Sequence, residues 1–152
     1  MNKLTIYTDG GARGNPGPAA IGVVIYAAGE KPIKQIGKYI GTVTNNQAEY
    51  KALITGLTEA ANLGATEVVC FLDSELVQRQ VTGKYKVRES ELKNLIIEVL
   101  RLSNKFLRIE FNHVGRGKNK LADKLVNEAL DKSGFWITLF RILLFQFDYT
   151  QT

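Results

Sequence analysis

The hydrophobic period of this chain changes in a fixed order along its length, and that order constrains the fold more than any other feature. Residues 3–8 alternate apolar and polar positions as half-buried strands do, 20–28 and about 33–43 read as two further strands, and a Gly-Glu-Lys-Pro turn at 29–32 joins the last two. From about Asn46 to Leu63 the period becomes helical, with Ala48, Ala52, Leu53, Leu57 and Ala60 on one face and Gly64 as the stop. "EVVCFLD" is a short, nearly continuous apolar run, the pattern of a strand covered on both faces. A helix from near Ser74 follows, then a second from Ser90 to about Asn104, a fifth strand over about 106–114, and a last helix over about 119–132. The order β-β-β-α-β-α-α-β-α is an antiparallel meander followed by crossover units. It predicts an α/β fold, a mixed five-stranded sheet with helices on both faces.

With 152 residues, one domain at 1–132 suffices, large enough for a core without disulfide or metal staples. The single cysteine, Cys70, lies in the apolar run and is expected to be a buried, inert thiol in a reducing compartment. The opening "MNKLTIYTDGG" has no long apolar core and no small-residue cleavage site, which predicts a cytoplasmic protein. The net charge is +5, and between Arg101 and Lys124 seven Lys or Arg face only Glu110 and Asp123. A polyanion fits this bias, and so does a solvated helix face.

Four acids fall at the ends of these elements. Asp9 ends the first strand, Glu49 lies in the first turn of the first helix, Asp73 ends the fourth strand and Asp123 lies in the first turn of the last helix. Singly, each has a structural reading. Asn46 and Glu49 have capping-box spacing, Asp73 is placed to cap the helix at Ser74, and Asp123 complements a helix dipole. Jointly they read differently, because sites in open sheets form at strand ends, and four converging carboxylates repel one another unless a cation joins them. Oxygen ligands without a Cys/His cluster select Mg²⁺ or Mn²⁺. A pair of such ions suits an in-line displacement at phosphorus, and a basic protein suits a phosphodiester backbone.

The stretches "YTDGGARGNPGPAAIG", "TNNQAEYKAL", "FLDSELVQRQV" and "NKLADKLVNEAL" resemble, in order and with compatible separations, the active-site motifs of type I ribonuclease H. The likeness extends over residues 1 to about 132 and is to the compact variety of archaea and many bacteria, since "GKYKVRESELKNL" is short where other members carry a basic insertion. It implies a ribonuclease H-like fold and cleavage of the RNA strand of an RNA/DNA hybrid, leaving 5′-phosphate and 3′-hydroxyl ends. Asp9, Glu49, Asp73 and Asp123 would then hold two Mg²⁺ ions, with Mn²⁺ as a substitute and Asp123 on the ion that activates water. Gly10 and Gly11 would let backbone approach the minor groove. Asn15, Asn45 and Asn46 match substrate-contacting positions, where amides suit ribose hydroxyls and base edges, and Thr44 matches a residue near a phosphate pocket.

Two segments depart from the family pattern. Members place a mobile His or Arg before the last aspartate. Here His113 alternates with Ile109 and Phe111 as part of a strand, which leaves Arg116 for that role in a loop where Gly115 and Gly117 replace the Pro and Glu of compact relatives. The second is the apolar tail, residues 133–152, which from Phe135 to Phe147 is interrupted only by Thr138, Arg141 and Gln146. It is too short and interrupted to span a membrane and is expected to dock on the domain or on a second copy, with a monomer expected ahead of a tail-mediated dimer. Two rival functions stand beside the hybrid nuclease: a non-catalytic nucleic-acid-binding module on this scaffold, and a related nuclease acting on double-stranded RNA or RNA–DNA junctions.

Overall fold

A computed structural model describes the backbone of residues 2–149 and the side chains of residues 2–146. The strands are β1 (Lys3–Ala12), β2 (Gly17–Tyr26), β3 (Lys34–Val43), β4 (Glu67–Leu72) and β5 (Arg108–His113); the helices are α1 (Asn45–Asn62), α2 (Glu75–Val81), α3 (Ser90–Ser103) and α4 (Lys120–Tyr149), with a 3₁₀ turn at Arg116–Lys118. The sheet order is β3-β2-β1-β4-β5. The β1–β2 and β2–β3 pairs are antiparallel, whereas β1–β4 and β4–β5 are parallel, as a meander followed by crossovers requires.

Successive residues of β1 point to opposite faces, and each face meets a different helix. On one side Leu4 and Ile6 join Tyr50, Leu53 and Leu57 of α1 and Leu92 of α3 in the main core. On the other, Ala20 of β2 meets Val126 and Leu130 of α4 in a much thinner cluster. Helices therefore cover both faces, but unequally. α4 packs over β1, β2 and β3, so the outer face of β4 is only half covered. Val68, Cys70 and Leu72 of β4 are buried, while Val69 and Phe71 are half-buried, Phe71 stacking on Tyr7 with ring centroids 4.9 Å apart. The expectation of a strand buried on both faces is corrected accordingly. Cys70 is fully enclosed, and burial drives its thiol pKa far upward, consistent with an inert group.

Two element boundaries differ from the sequence reading in ways that matter. β1 does not stop at Thr8; it continues through Gly10, Gly11 and Ala12, which pair with Ile21, Ala20 and Ala19. Asp9 thus lies inside the strand, opposite Gly22. At the other end of the chain, α4 continues without a break from Lys120 to Tyr149, so the boundary at residue 132 falls within one helix. Among the described residues of the tail, Phe135, Trp136, Phe140 and Leu143 are exposed rather than packed on the domain. The inward stripe of α4, Ala122, Val126 and Leu130, reaches the edge of the sheet near Asp131, which pairs with Arg13 of the β1–β2 turn at 2.7 Å. Beyond that point the helix has left the sheet.

Candidate active site

Asp9 is positioned by two missing side chains. Its neighbour Gly10 faces α1, where a Cβ would fall 2.2 Å from the carbonyl carbon of Ala48 and 2.4 Å from the nitrogen of Glu49. Gly22, the cross-strand partner of Asp9, faces α4, where a Cβ would fall 2.2 Å from the carbonyl oxygen of Ala122. Only glycine allows either helix to sit this close. One helix thereby brings Glu49 to the sheet and the other brings Asp123, the residue after Ala122. Asp73 follows the last residue of β4, and because Leu72 pairs in parallel with Thr8, it emerges beside Asp9.

Carboxylate oxygens of Asp9, Glu49 and Asp73 lie within 4.8 Å of one another. Asp123 stands outside this triad but lines the same cleft, of about 600 Å³, and its charge acts on Asp9. Burial is the main force on the acid titrations. It raises the Asp9 pKa to about 7, reinforced by the charges of Asp73 and Asp123 and a hydrogen bond with Asp73, and opposed by one with Glu49. Burial likewise pushes the Glu49 carboxyl well above its usual range, with Asp73 and Asp9 adding to it. Desolvated acids this close are unfavourable as anions on their own, and the donor set is oxygen only. Both facts fit a hard divalent cation bound among them.

Gly10, Gly11, Asn45, Asn46 and Arg116 line this cleft together with the four acids. Arg116 opens the 3₁₀ turn and is exposed, and neither it nor Lys118 or Lys120 forms an ion pair among the described residues. Of the other basic residues in that stretch, Arg101 pairs with Glu98 at 2.6 Å, Arg108 with Glu110 at 3.0 Å and Lys124 with Glu128 at 3.7 Å. His113 ends β5, and its Nε2 lies 3.2 Å from the carbonyl oxygen of Asp73.

Several sequence expectations need correction. Glu49 does not lie in the first turn of α1, which begins at Asn45. The capping box is formed by Thr44 and Gln47: the Thr44 hydroxyl accepts from the Gln47 N–H at 3.2 Å, and the Gln47 side chain accepts from the Thr44 N–H at 2.9 Å. Thr44 thus caps α1 and is not among the residues that line the cleft. Ser74, not Asp73, caps α2 by accepting from the Val77 N–H, which leaves the Asp73 carboxylate to the cleft. The Asn15 side chain accepts from the Asn45 N–H at 3.0 Å, and the Asn45 side chain accepts from the Ala12 N–H at 2.8 Å. These two amides pin the Gly-rich turn to α1. The first reason for Gly10 is the backbone of α1.

Three residues absent from the sequence reading also shape the site. Arg13 lines the cleft, pairs with Asp131 and reaches Asn127 at 3.5 Å; Asn127 in turn donates to the Asp123 carbonyl at 3.0 Å. Asn119, 2% exposed, donates to the Thr8 carbonyl at 2.9 Å and clips the start of α4 to β1. A polar residue just before a helical run is a legible start signal, but its partner on β1 is not local.

A family profile described as reverse transcriptase-like matches residues 7–129. The chain is 44% identical over 130 residues to a bifunctional protein of Mycobacterium tuberculosis, covering 85% of this chain and 36% of that one. It thus spans about a third of the length of the mycobacterial relative. A ribonuclease H of Chromohalobacter salexigens is 35% identical over 152 residues, with 87% of each chain covered. Among solved structures, LC11-RNase H1 in complex with an RNA/DNA hybrid superposes with a TM-score of 0.81 at 45% identity, covering 86% of this chain and 98% of that one.

Proposed function

Because the chain belongs to the ribonuclease H family, we propose that it is an endonuclease hydrolysing the RNA strand of RNA/DNA hybrids and leaving 5′-phosphate and 3′-hydroxyl ends. The observation that carries this is the triad of Asp9, Glu49 and Asp73 with oxygens within 4.8 Å, in a cleft that Asp123 completes. A non-catalytic binder would gain affinity by losing negative charge beside phosphates, and all four acids are present.

The four acids would hold two Mg²⁺ ions, with Mn²⁺ as a substitute; bound there, such ions supply an activated water and stabilise the leaving oxygen of an in-line displacement. The chain's own residues supply the rest. Asp9 and Glu49 are fixed by strand and helix backbone, so the ligand set is preorganised. Asp123, outside the tight triad but lining the same cleft, would complete the ligand set on the ion that activates water. Gly10 and Gly11 line the cleft with backbone alone, and Asn45 and Asn46 line it beside them with amide side chains. Asn15 acts through Asn45 by holding the turn in place, and Thr44 acts by capping the helix that carries these amides. Arg116 supplies a cation at the cleft mouth to draw the backbone in and help the cleaved phosphate leave. The charge balance and the lone buried thiol suit work in the cytoplasm.

The test is a substrate panel: labelled RNA/DNA hybrid, double-stranded RNA and a duplex with a single ribonucleotide, each with Mg²⁺, Mn²⁺ or chelator. Metal-dependent cuts confined to the RNA strand of the hybrid are expected. Binding without cleavage of any substrate would leave only the nucleic-acid-binding module.

A further inference from the structure

We propose that residues 135–144 of α4 form a self-association surface that pairs with the same helix of a second copy of this chain. Phe135, Trp136 and Phe140 are 61%, 65% and 63% exposed, and Ile142, Leu143 and Leu144 are each 53% exposed. Trp136, Phe140, Leu143 and Leu144 share one face of the helix, with Phe135 and Ile142 on its flank, and at ordinary side-chain sizes that face presents on the order of 450–500 Å² of apolar surface per copy. That is the size of the largest patch on a typical monomer, about 300–600 Å², and such patches are often functional. It is more than half of the roughly 800 Å² that each partner contributes to a standard stable interface.

The pattern of side chains says how the surface is used. Ala122, Val126 and Leu130 face the sheet with Ala129 packed beside them, and from Ala129 alternating steps of four and three residues lead through Ser133 to Trp136, Phe140 and Leu143. A stripe that begins as a sheet contact thus continues, in register, as a helix-pairing seam. Arg141 is the one charged residue between Ser133 and Gln146, and Asp131 is already paired with Arg13. A helix lying on a membrane surface draws on a polar face rich in Lys and Arg, which this segment lacks. No helix among the described residues is long and apolar enough to cross a membrane.

Pairing is antiparallel, because each copy carries a net charge of +5 and a parallel pair would set the two basic domains side by side. A twofold axis at Phe140 sets Phe140 against its equivalent and Trp136 against Leu144, the isologous arrangement of a closed dimer.

Sedimentation velocity of the full chain across the micromolar range tests this. The expected result is a concentration-dependent rise from 16.9 kDa to twice that mass, returned to 16.9 kDa by Phe140→Glu and separately by Leu143→Glu, with far-ultraviolet circular dichroism confirming that each variant is folded. Oxidising a mixture of Trp136→Cys and Leu144→Cys chains is expected to give the mixed disulfide. A full chain that stays monomeric throughout overturns the proposal, as does assembly that neither glutamate dissolves. Monomeric chain that pellets with phosphatidylcholine vesicles overturns it in favour of a lipid surface. Cross-linking that yields only like-with-like disulfides overturns the antiparallel arrangement.

Discussion

The two ends of α4 leave opposite demands unmet. At its first turn the helix delivers Asp123 to a cleft where polar groups are crowded and partly stripped of water. Beyond Asp131 it delivers phenylalanine, tryptophan and leucine into water. Carboxylates in a desolvated cluster call for positive charge, and apolar side chains in water call for another apolar surface. One end of a single helix thus carries the proposed chemistry and the other the proposed assembly. They are separated by the point where the Arg13–Asp131 pair marks the edge of the sheet.

The largest expected effect lies at the cleft. Asp73→Asn is expected to lower hybrid cleavage at least about a hundredfold while hybrid binding at low salt survives, since the change removes a metal ligand and little phosphate contact. Near-normal cleavage by this variant would break the assignment of the site. Gly22→Ala tests how the helix is seated. Its Cβ would meet the Ala122 carbonyl oxygen at 2.2 Å, so α4 must shift, and a loss of about 1–3 kcal/mol by urea denaturation is expected together with lower activity.

A third expectation separates charge from packing. The carboxyl of Asp9 has its pKa raised to about 7 from an ordinary 3.8. Below the ordinary value both folded and unfolded chains are protonated. Between the two values only the folded chain holds the proton, so its stability falls as pH rises through about 7. Without divalent metal, the melting temperature is expected to fall between pH 4 and pH 8. Asp9→Asn is expected to recover on the order of 2–4 kcal/mol at the upper end, as is added Mg²⁺ in the unsubstituted chain. A melt independent of pH over that window, with or without metal, would show that the acids are better solvated than the cleft implies.

The smallest effect is expected at the tail. Leu143→Glu at concentrations too low for association is expected to change domain stability by less than about 0.5 kcal/mol, because the side chain it replaces is exposed. A larger loss in a dilute melt would mean that the tail supports its own domain after all.

Much of the candidate site was legible because its signals are local. The four acids, Asn45, Asn46 and Arg116 could be picked out from their places at the ends of periodic runs and from the family motifs, and all line one cleft. Thr44 and Asn15 match family positions near the substrate, and the structure adds that their hydrogen bonds go to the start of α1 and to Asn45. Which of several neighbouring polar groups caps a helix depends on a turn geometry that spacing alone leaves open. Arg13 is not legible because its partners, Asp131 and Asn127, are more than a hundred residues away in sequence.

The sequence by itself determined the strand and helix periods, the meander-then-crossover order, the identity of the acids and the apolar character of the tail. All of these depend on neighbours a few residues apart. The tertiary structure alone decided that β1 runs on past Asp9, because that extension is held by pairing with β2. It also decided that Gly10 and Gly22 seat the two helices and that the outer face of β4 stays half open. Finally, it decided that α4 outruns its sheet, because no local pattern tells a helix where the surface beneath it ends.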